Sequence, residues 1–190
     1  MIYVLDLETN GLTLNDIEIT QLAYLKIDEN FEIVEEFNKY YYVENLKDSA
    51  NITGLDSRKL AKLSDGEEMT LEEFKAIMEE INHGIIIGQN ITYDVLVLDA
   101  RCLIFGLPIY PKYPLDIINQ FSPEDTYMNL KWVVDNFMMP EGRKLIESRF
   151  EGEGYHDALY DVYSVYGVIK HNDKFKMRLK NYLKSVPRRE

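Results

Sequence analysis

Residues 2–9 read Ile-Tyr-Val-Leu-Asp-Leu-Glu-Thr. A short apolar run rich in β-branched and aromatic residues reads as a strand buried on both faces, as in sheets covered by helices. Side chains two apart along a strand share a face. Asp6 and Glu8 therefore project together from the end of that strand, and Thr9-Asn10-Gly11 reads as the turn that follows. By itself the pair has little specificity: 33 acids in 190 positions give about six acid-x-acid pairs by chance. A polar strand end is the simpler account of an isolated pair.

Outward from this strand, residues 17–27 and 32–42 carry strand patterns, and Asp28-Glu29-Asn30 between them fits a hairpin turn. The spacing of Leu71, Phe74, Ile77, Met78 and Ile81 predicts a surface helix over 70–82, with Thr70 as N-cap and Glu73 completing a capping box. Gly84-Ile85-Ile86-Ile87-Gly88 reads as a second buried strand. A helix over 91–105 follows, capped by Asn90. Further helices fit 128–137 and 157–171, and a basic helix fits 173–184. Early strands followed by alternating strand and helix predict an α/β domain with a mixed sheet. No repeat, low-complexity segment or linker divides the chain, so residues 1–190 are read as one domain.

The composition, 46% hydrophobic and 28% charged, is that of an ordinary globular protein. The single cysteine, Cys102, excludes an internal disulfide and suits a reducing cytoplasm. No basic start with an apolar stretch is present, nor a run of about 18 apolar residues. The expected location is cytoplasmic, without a membrane partner. A net charge of −12 argues against a tight, non-specific duplex binder, because phosphate neutralisation calls for basic side chains. It argues less against an enzyme that holds a strand end through bound cations. Residues 170–190 depart from the average, with eight Lys/Arg against Asp173 and Glu190.

The helix after Asn90 has its apolar stripe at Ile91, Val95, Leu98, Cys102 and Phe105, and Asp94 falls on it. An ionised carboxylate facing a core is costly unless compensated. The helix N-terminus offsets part of that cost, and a bound cation would offset more. The bland alternative is an acid at the end of the stripe that reaches water. Asp161 repeats the pattern on a face made by Ala158, Val162, Val165 and Ile169. His156 stands just before, in a glycine-bearing stretch (Gly152, Gly154) that reads as a flexible loop. A lone histidine is more often structural, but this one neighbours an inward-facing acid. Four carboxylates form an all-oxygen set suited to Mg²⁺ or Mn²⁺. Two such ions can clamp the oxygens of a phosphoryl displacement, and a histidine can take the proton of the attacking water. Metal-assisted phosphodiester hydrolysis is the reaction class these residues favour.

Asp6-Leu7-Glu8-Thr9, Asn90-Ile91-Thr92-Tyr93-Asp94 and His156-Asp157-Ala158-Leu159-Tyr160-Asp161 resemble, in order and spacing, the three motifs of the DEDDh (DnaQ-like) 3′→5′ exonuclease superfamily. That superfamily includes the proofreading subunit of bacterial replicative DNA polymerase, ribonuclease T and oligoribonuclease. The resemblance covers residues 1–172, leaving the basic helix beyond it. It implies a ribonuclease-H-like fold, a mixed five-stranded sheet flanked by helices. It also implies Asp6, Glu8, Asp94 and Asp161 as ligands of two divalent cations, Mg²⁺ or Mn²⁺, with Asp6 bridging them. His156 would be the general base, and nucleoside 5′-monophosphates would leave the 3′ end of single-stranded nucleic acid, DNA favoured and RNA open. Thr9 and Leu12 match positions that hold the terminal nucleotide, and Asn90 matches an asparagine of the strand-to-helix turn. Thr53-Gly54-Leu55 resembles a loop that often reads His-Gly-Ile, and Gln89 stands where many members have histidine. A DNA polymerase is a partner the resemblance leaves open, and nothing fixes an oligomeric state.

Three other features lie outside the motifs. Tyr40-Tyr41-Tyr42 could stack bases, but a strand with at least one tyrosine in the core is preferred. Glu67-Glu68, Glu72-Glu73 and Glu79-Glu80 read as solvated surface. Arg143, Lys144 and Arg149 read as a loop approaching His156, within reach of a substrate backbone. The class competing with a nuclease is a non-catalytic binding module of the same fold, which the intact set of four acids and a histidine disfavours. No calcium-loop pattern is present.

Overall fold

The computed structural model describes residues 1–47, 53–117, 128–152 and 154–185. Arg188 and Arg189 of the basic tail lie outside the described residues. The opening stretch forms β1 (Ile2–Thr9), the middle strand of a five-stranded sheet. The strands β2 (Ile19–Ile27) and β3 (Ile33–Tyr40) run antiparallel on one side of it. On the other side β4 (Ile85–Gly88) and β5 (Tyr113–Asp116) run parallel to it, giving the order β3-β2-β1-β4-β5. The helices α1 (Ser57–Leu63) and α2 (Leu71–Ile81) precede β4, and α3 (Ile91–Ile104) joins β4 to β5. Then come α4 (Leu130–Phe137), α5 (Pro140–Arg149), α6 (Ala158–Lys170) and α7 (Asp173–Ser185). This is the mixed sheet that the pattern of elements predicted, with the five strands and flanking helices that the family resemblance implied.

The period of two along β1 divides the interior into two cores. Ile2 and Val4 point to the side covered by α4–α7, where Val133, Ile146, Val162, Val165 and Phe175 pack. Tyr3, Leu5 and Leu7 point to the side covered by α2 and α3, against Phe74, Met78, Ile91 and Leu98. Asp6 and Glu8 continue the Ile2–Val4 row and so face α6. Pairing of β1 with β4 stops at Val4, while pairing with β2 runs on to Thr9. The acid end of β1 thus stands in a crevice at the carboxyl ends of parallel neighbours, where open α/β sheets bind ligands.

Local expectations met several physical corrections. Both early strands are shorter than read, and β3 ends at Tyr40, leaving Tyr41 fully buried in the α2-side core. The hairpin forms, closed by Asp28 Oδ1, which accepts from the Asn30 and Glu32 amides at 2.8 Å each. Thr70 caps α2 by accepting from the Glu73 amide at 3.1 Å, but no reciprocal bond completes the box among the described hydrogen bonds. The Glu73 carboxylate instead meets Lys39 at 3.1 Å and Tyr41 at 3.2 Å. Glu80 likewise meets Tyr3 at 2.7 Å and Lys26 at 2.5 Å. Two of the supposed surface acids therefore brace α2 against the sheet. The buried row of α3 is Ile91, Asp94, Val97, Leu98 and Cys102, with Val95 only half-buried. Asn90 occupies the N-cap position without a side-chain cap bond, in the left-handed conformation (φ 55°) that asparagine tolerates.

Arg143, Lys144 and Arg149 belong to helix α5, not to a loop. Arg143 donates to the Val134 carbonyl at 3.0 Å, and Arg149 pairs with Glu36 and stacks on the Tyr163 ring. The basic helix α7 packs through Phe175 and Leu179 at the far end of α6 from His156 and Asp161. Among the described residues no helix is long and apolar enough to cross a membrane.

Candidate active site

Four elements deliver the five predicted catalytic residues into one cleft of about 390 Å³. The strand β1 supplies Asp6 and Glu8. The first turn of α3 supplies Asp94, which is 4% exposed, with Oδ1 accepting from the Leu7 amide at 3.0 Å. That bond uses a β1 N–H beyond the end of the β1–β4 ladder, so it ties the helix start to the strand. The first turn of α6 supplies Asp161, and the loop before it supplies His156. His156 is exposed and takes a left-handed backbone (φ 69°), which turns its amide onto Asp161 Oδ2 at 3.2 Å. Asp161 Oδ1 is buried with no hydrogen-bond partner among the described residues. Glu8, His156 and Asp161 bring ligand atoms within 4.8 Å of one another.

Crowding sets the electrostatics. Burial, then the charges of Asp94, Asp161, Glu8 and Asp157, hold the Asp6 carboxyl well above the usual carboxylate range. Glu8 is pushed up to about 9 by burial and then by Asp161, Asp94 and Asp157. Asp94 is also held well above its ordinary value, chiefly by burial, although its own amide and that of Leu7 pull the other way. Asp161 is pushed up to about 7 by burial, opposed by the His156 amide. Four carboxyls so arranged resist ionising together unless positive charge enters among them. The orphaned Asp161 oxygen and the oxygen-rich donor set fit a hard divalent cation.

The predicted substrate contacts separate. Asn90 lines the cleft together with Gln89, whose amide nitrogen donates to the Met128 carbonyl at 2.8 Å. Thr9 is buried beside it, its hydroxyl donating to the Gly11 carbonyl at 2.8 Å and lying 3.4 Å from the Tyr93 hydroxyl. Leu12 is 75% exposed and is not part of the cleft wall. Thr53 lies in an adjoining groove with Asn38, Tyr40 and Lys59, and that groove shares Tyr155 and His156 with the cleft. Tyr93, Asn129, Lys131 and Tyr155 also line the cleft and were not read from the sequence. Two of them had a signal in the sequence: Tyr155 adjoins His156, and Tyr93 adjoins Asp94. Arg143, Lys144 and Arg149 do not line it.

Among solved structures the chain resembles E. coli exonuclease I. Against its zinc-bound complex with single-stranded DNA the TM-score is 0.65 at 18% identity, covering 97% of this chain and 42% of that one. Against its complex with a dA16 oligonucleotide the TM-score is 0.67 at 17% identity, covering 97% and 43%. At these identities the likeness is one of fold, and this chain spans less than half the length of exonuclease I. No curated protein matches the sequence. The sequence model of the exonuclease family matches residues 3–169, a span that contains all three motifs, and the chain belongs to that family.

Proposed function

We propose that residues 1–190 act as a single domain with metal-dependent 3′→5′ exonuclease activity of the DEDDh type. The substrate is the 3′ end of single-stranded nucleic acid, with DNA favoured, and the products are nucleoside 5′-monophosphates. The observation that carries the reading is the convergence of Asp6, Glu8, Asp94, Asp161 and His156 from four elements into one cleft. The preference for DNA draws on the single-stranded DNA complexes of exonuclease I, whose fold the chain shares.

In this reading the four carboxylates hold two divalent cations, Mg²⁺ or Mn²⁺. When bound, these supply positive charge to the phosphoryl oxygens and ease deprotonation of the attacking water. His156, on the exposed rim, takes that proton on its imidazole. The hydrogen bond from its backbone amide to the Asp161 carboxylate fixes where the side chain begins. Asn90 and Gln89 form the polar wall against which the terminal nucleotide is oriented, and Thr9 backs that wall through Tyr93.

The test is to incubate the protein with 5′-labelled DNA and RNA single strands of one sequence, with Mg²⁺, with Mn²⁺ and with a chelator. Asp161→Ala is the control. The expected result is a ladder shortening from the 3′ end, lost with the chelator and in the variant, and faster on DNA. Intact strands under every metal would replace the enzyme with a binding module of the same fold.

A further inference from the structure

A fifth acid, Asp157, stands beside the four of the cleft, between His156 and the first residue of α6. Its oxygens are all engaged inside the protein. Oδ1 accepts from the Leu159 amide at 3.1 Å, the Tyr160 amide at 3.2 Å and the Gln21 side-chain amide at 3.4 Å. Oδ2 accepts from the Tyr40 hydroxyl. Gln21 is fully buried, and its carbonyl oxygen accepts from the Ala158 amide at 2.9 Å while its nitrogen also donates to Asn38 at 3.0 Å. The sheet register explains why these groups meet. Glu8 lies opposite Gln21, and Gln21 opposite Tyr40. Residues directly opposite in a ladder project to the same face, so one rung across three strands presents Glu8, Gln21 and Tyr40 to the start of α6.

We propose that Asp157 is a positioning residue and not a further cation ligand: gripped by Gln21 and Tyr40, it fixes the start of α6, and so the separation of Asp161 and His156 from Glu8. The route is short. The Asp161 amide donates to the Asp157 carbonyl at 2.9 Å, and the His156 amide donates to the Asp161 carboxylate. A cation on Asp157 would have to displace the donors of two helix-end amides, which have no other intrahelical acceptor. Tyr40 also lines the groove next to the cleft, so the grip lies where the two meet.

The inference rests on the metal-dependent nuclease reading, and its test separates the two. Three variants are compared with wild type: Asp157→Ala, Asp157→Asn and Tyr40→Phe. Each is assayed for cleavage of a single-stranded DNA, for the Mn²⁺ concentration giving half-maximal rate, for Mn²⁺ binding by calorimetry without substrate, and for melting temperature. Asp157→Ala is expected to lower kcat and weaken Mn²⁺ binding by about 10- to 100-fold, the range for lost outer-shell partners, while KM for DNA stays within about twofold. Asparagine keeps an acceptor for the helix amides and a polar group for Tyr40. Asp157→Asn should therefore restore the rate to within about fivefold of wild type. Tyr40→Phe should weaken Mn²⁺ binding in the same direction by about three- to tenfold. It also serves as the test if Asp157→Ala fails to fold. An Asn variant as impaired as the Ala variant would make the charge of Asp157 the active feature and overturn the proposal, as would Mn²⁺ binding unchanged in all three. If wild type cleaves nothing, the nuclease reading fails, and the order of Mn²⁺ affinities alone decides whether Asp157 positions the site.

Discussion

Asp94 is held by two opposing influences. The Leu7 amide favours its ionised form, while burial and neighbouring carboxyls favour the protonated one, and the second influence is stronger. An asparagine at this position keeps the acceptor for Leu7 and removes the charge. Without metal, Asp94→Asn should therefore raise the melting temperature at pH 8 by a few degrees, since about 1 kcal/mol corresponds to roughly 2–4 °C in a domain of this size. The gain should largely fade toward pH 4, where the folded wild-type carboxyl is protonated and the unfolded one is about half so. Nuclease activity should fall about 10²- to 10³-fold, the scale for losing one preorganised electrostatic partner. Thermal scans at the two pH values check the first part. A lower melting temperature at pH 8 would mean that Asp94 is an ionised, fully compensated group. Glu8 and Asp6 lie under the same pressure, and the site as a whole trades stability of the metal-free fold for a place where positive charge is welcome.

At the scale of elements, α6 carries Asp161 and must lie close to both the sheet and α5. The approach to α5 is made at two glycines. A Cβ on Gly142 would come within 2.5 Å of the Gly167 carbonyl oxygen, a backbone atom that cannot step aside. A Cβ on Gly167 would meet mainly the end of Met138, at 3.0 Å, which can move. Gly142→Ala should destabilise by about 1–3 kcal/mol through overpacking. In Gly167→Ala the gain in helix propensity of roughly 1 kcal/mol should offset most of the strain. Urea unfolding of the two variants checks the order, and equal losses would mean that α5 shifts freely. The helices and central strands were legible in the sequence because each has a clear period: the stripe of α2, the apolar runs of β1 and β4, and the inward face of α6. Three elements were not. The short edge strand β5 contains Pro114 and half-buried residues, so it shows neither alternation nor a continuous apolar run. Only Leu60 is buried in α1, and only Gly142 and Ile146 in α5, too few to reveal a period. The catalytic candidates were legible because acids on apolar faces are conspicuous. Gln21 was not read as a contact to α6 because its partner lies 136 residues away and only the ladder register brings them together.

At the scale of the whole molecule, charge is the controlling quantity. The net charge is −12, while the basic helix α7 begins after the end of α6 opposite to Asp161, about 20 Å along that helix. Lys131 lines the cleft, yet burial, other carboxyls and backbone amides are the influences that set the four carboxyls, so the demand for metal should be visible in folding. Asp6 and Asp94 are held well above the ordinary range, Glu8 near 9 and Asp161 near 7, against unfolded carboxyls of about 4. Between these limits the folded, metal-free protein binds more protons than the unfolded chain. Its stability is thus complete below about pH 4 and is lost as pH rises through the folded values near 7 and 9. A divalent cation binds the ionised form and displaces the protons, so its stabilisation must grow over the same interval. General repulsion among surface acids would also lower stability as pH rises, but at 1 M salt the screening length is about 3 Å and that contribution fades, whereas the buried cluster is screened much less. Melting temperatures measured at 1 M NaCl between pH 5 and 9 should therefore fall without metal and stay nearly level with saturating Mg²⁺. A metal-induced shift of the same size at pH 6 and pH 9 would mean that the four carboxyls are already ionised in the metal-free fold, and the electrostatic case for this cleft as a cation site would fail.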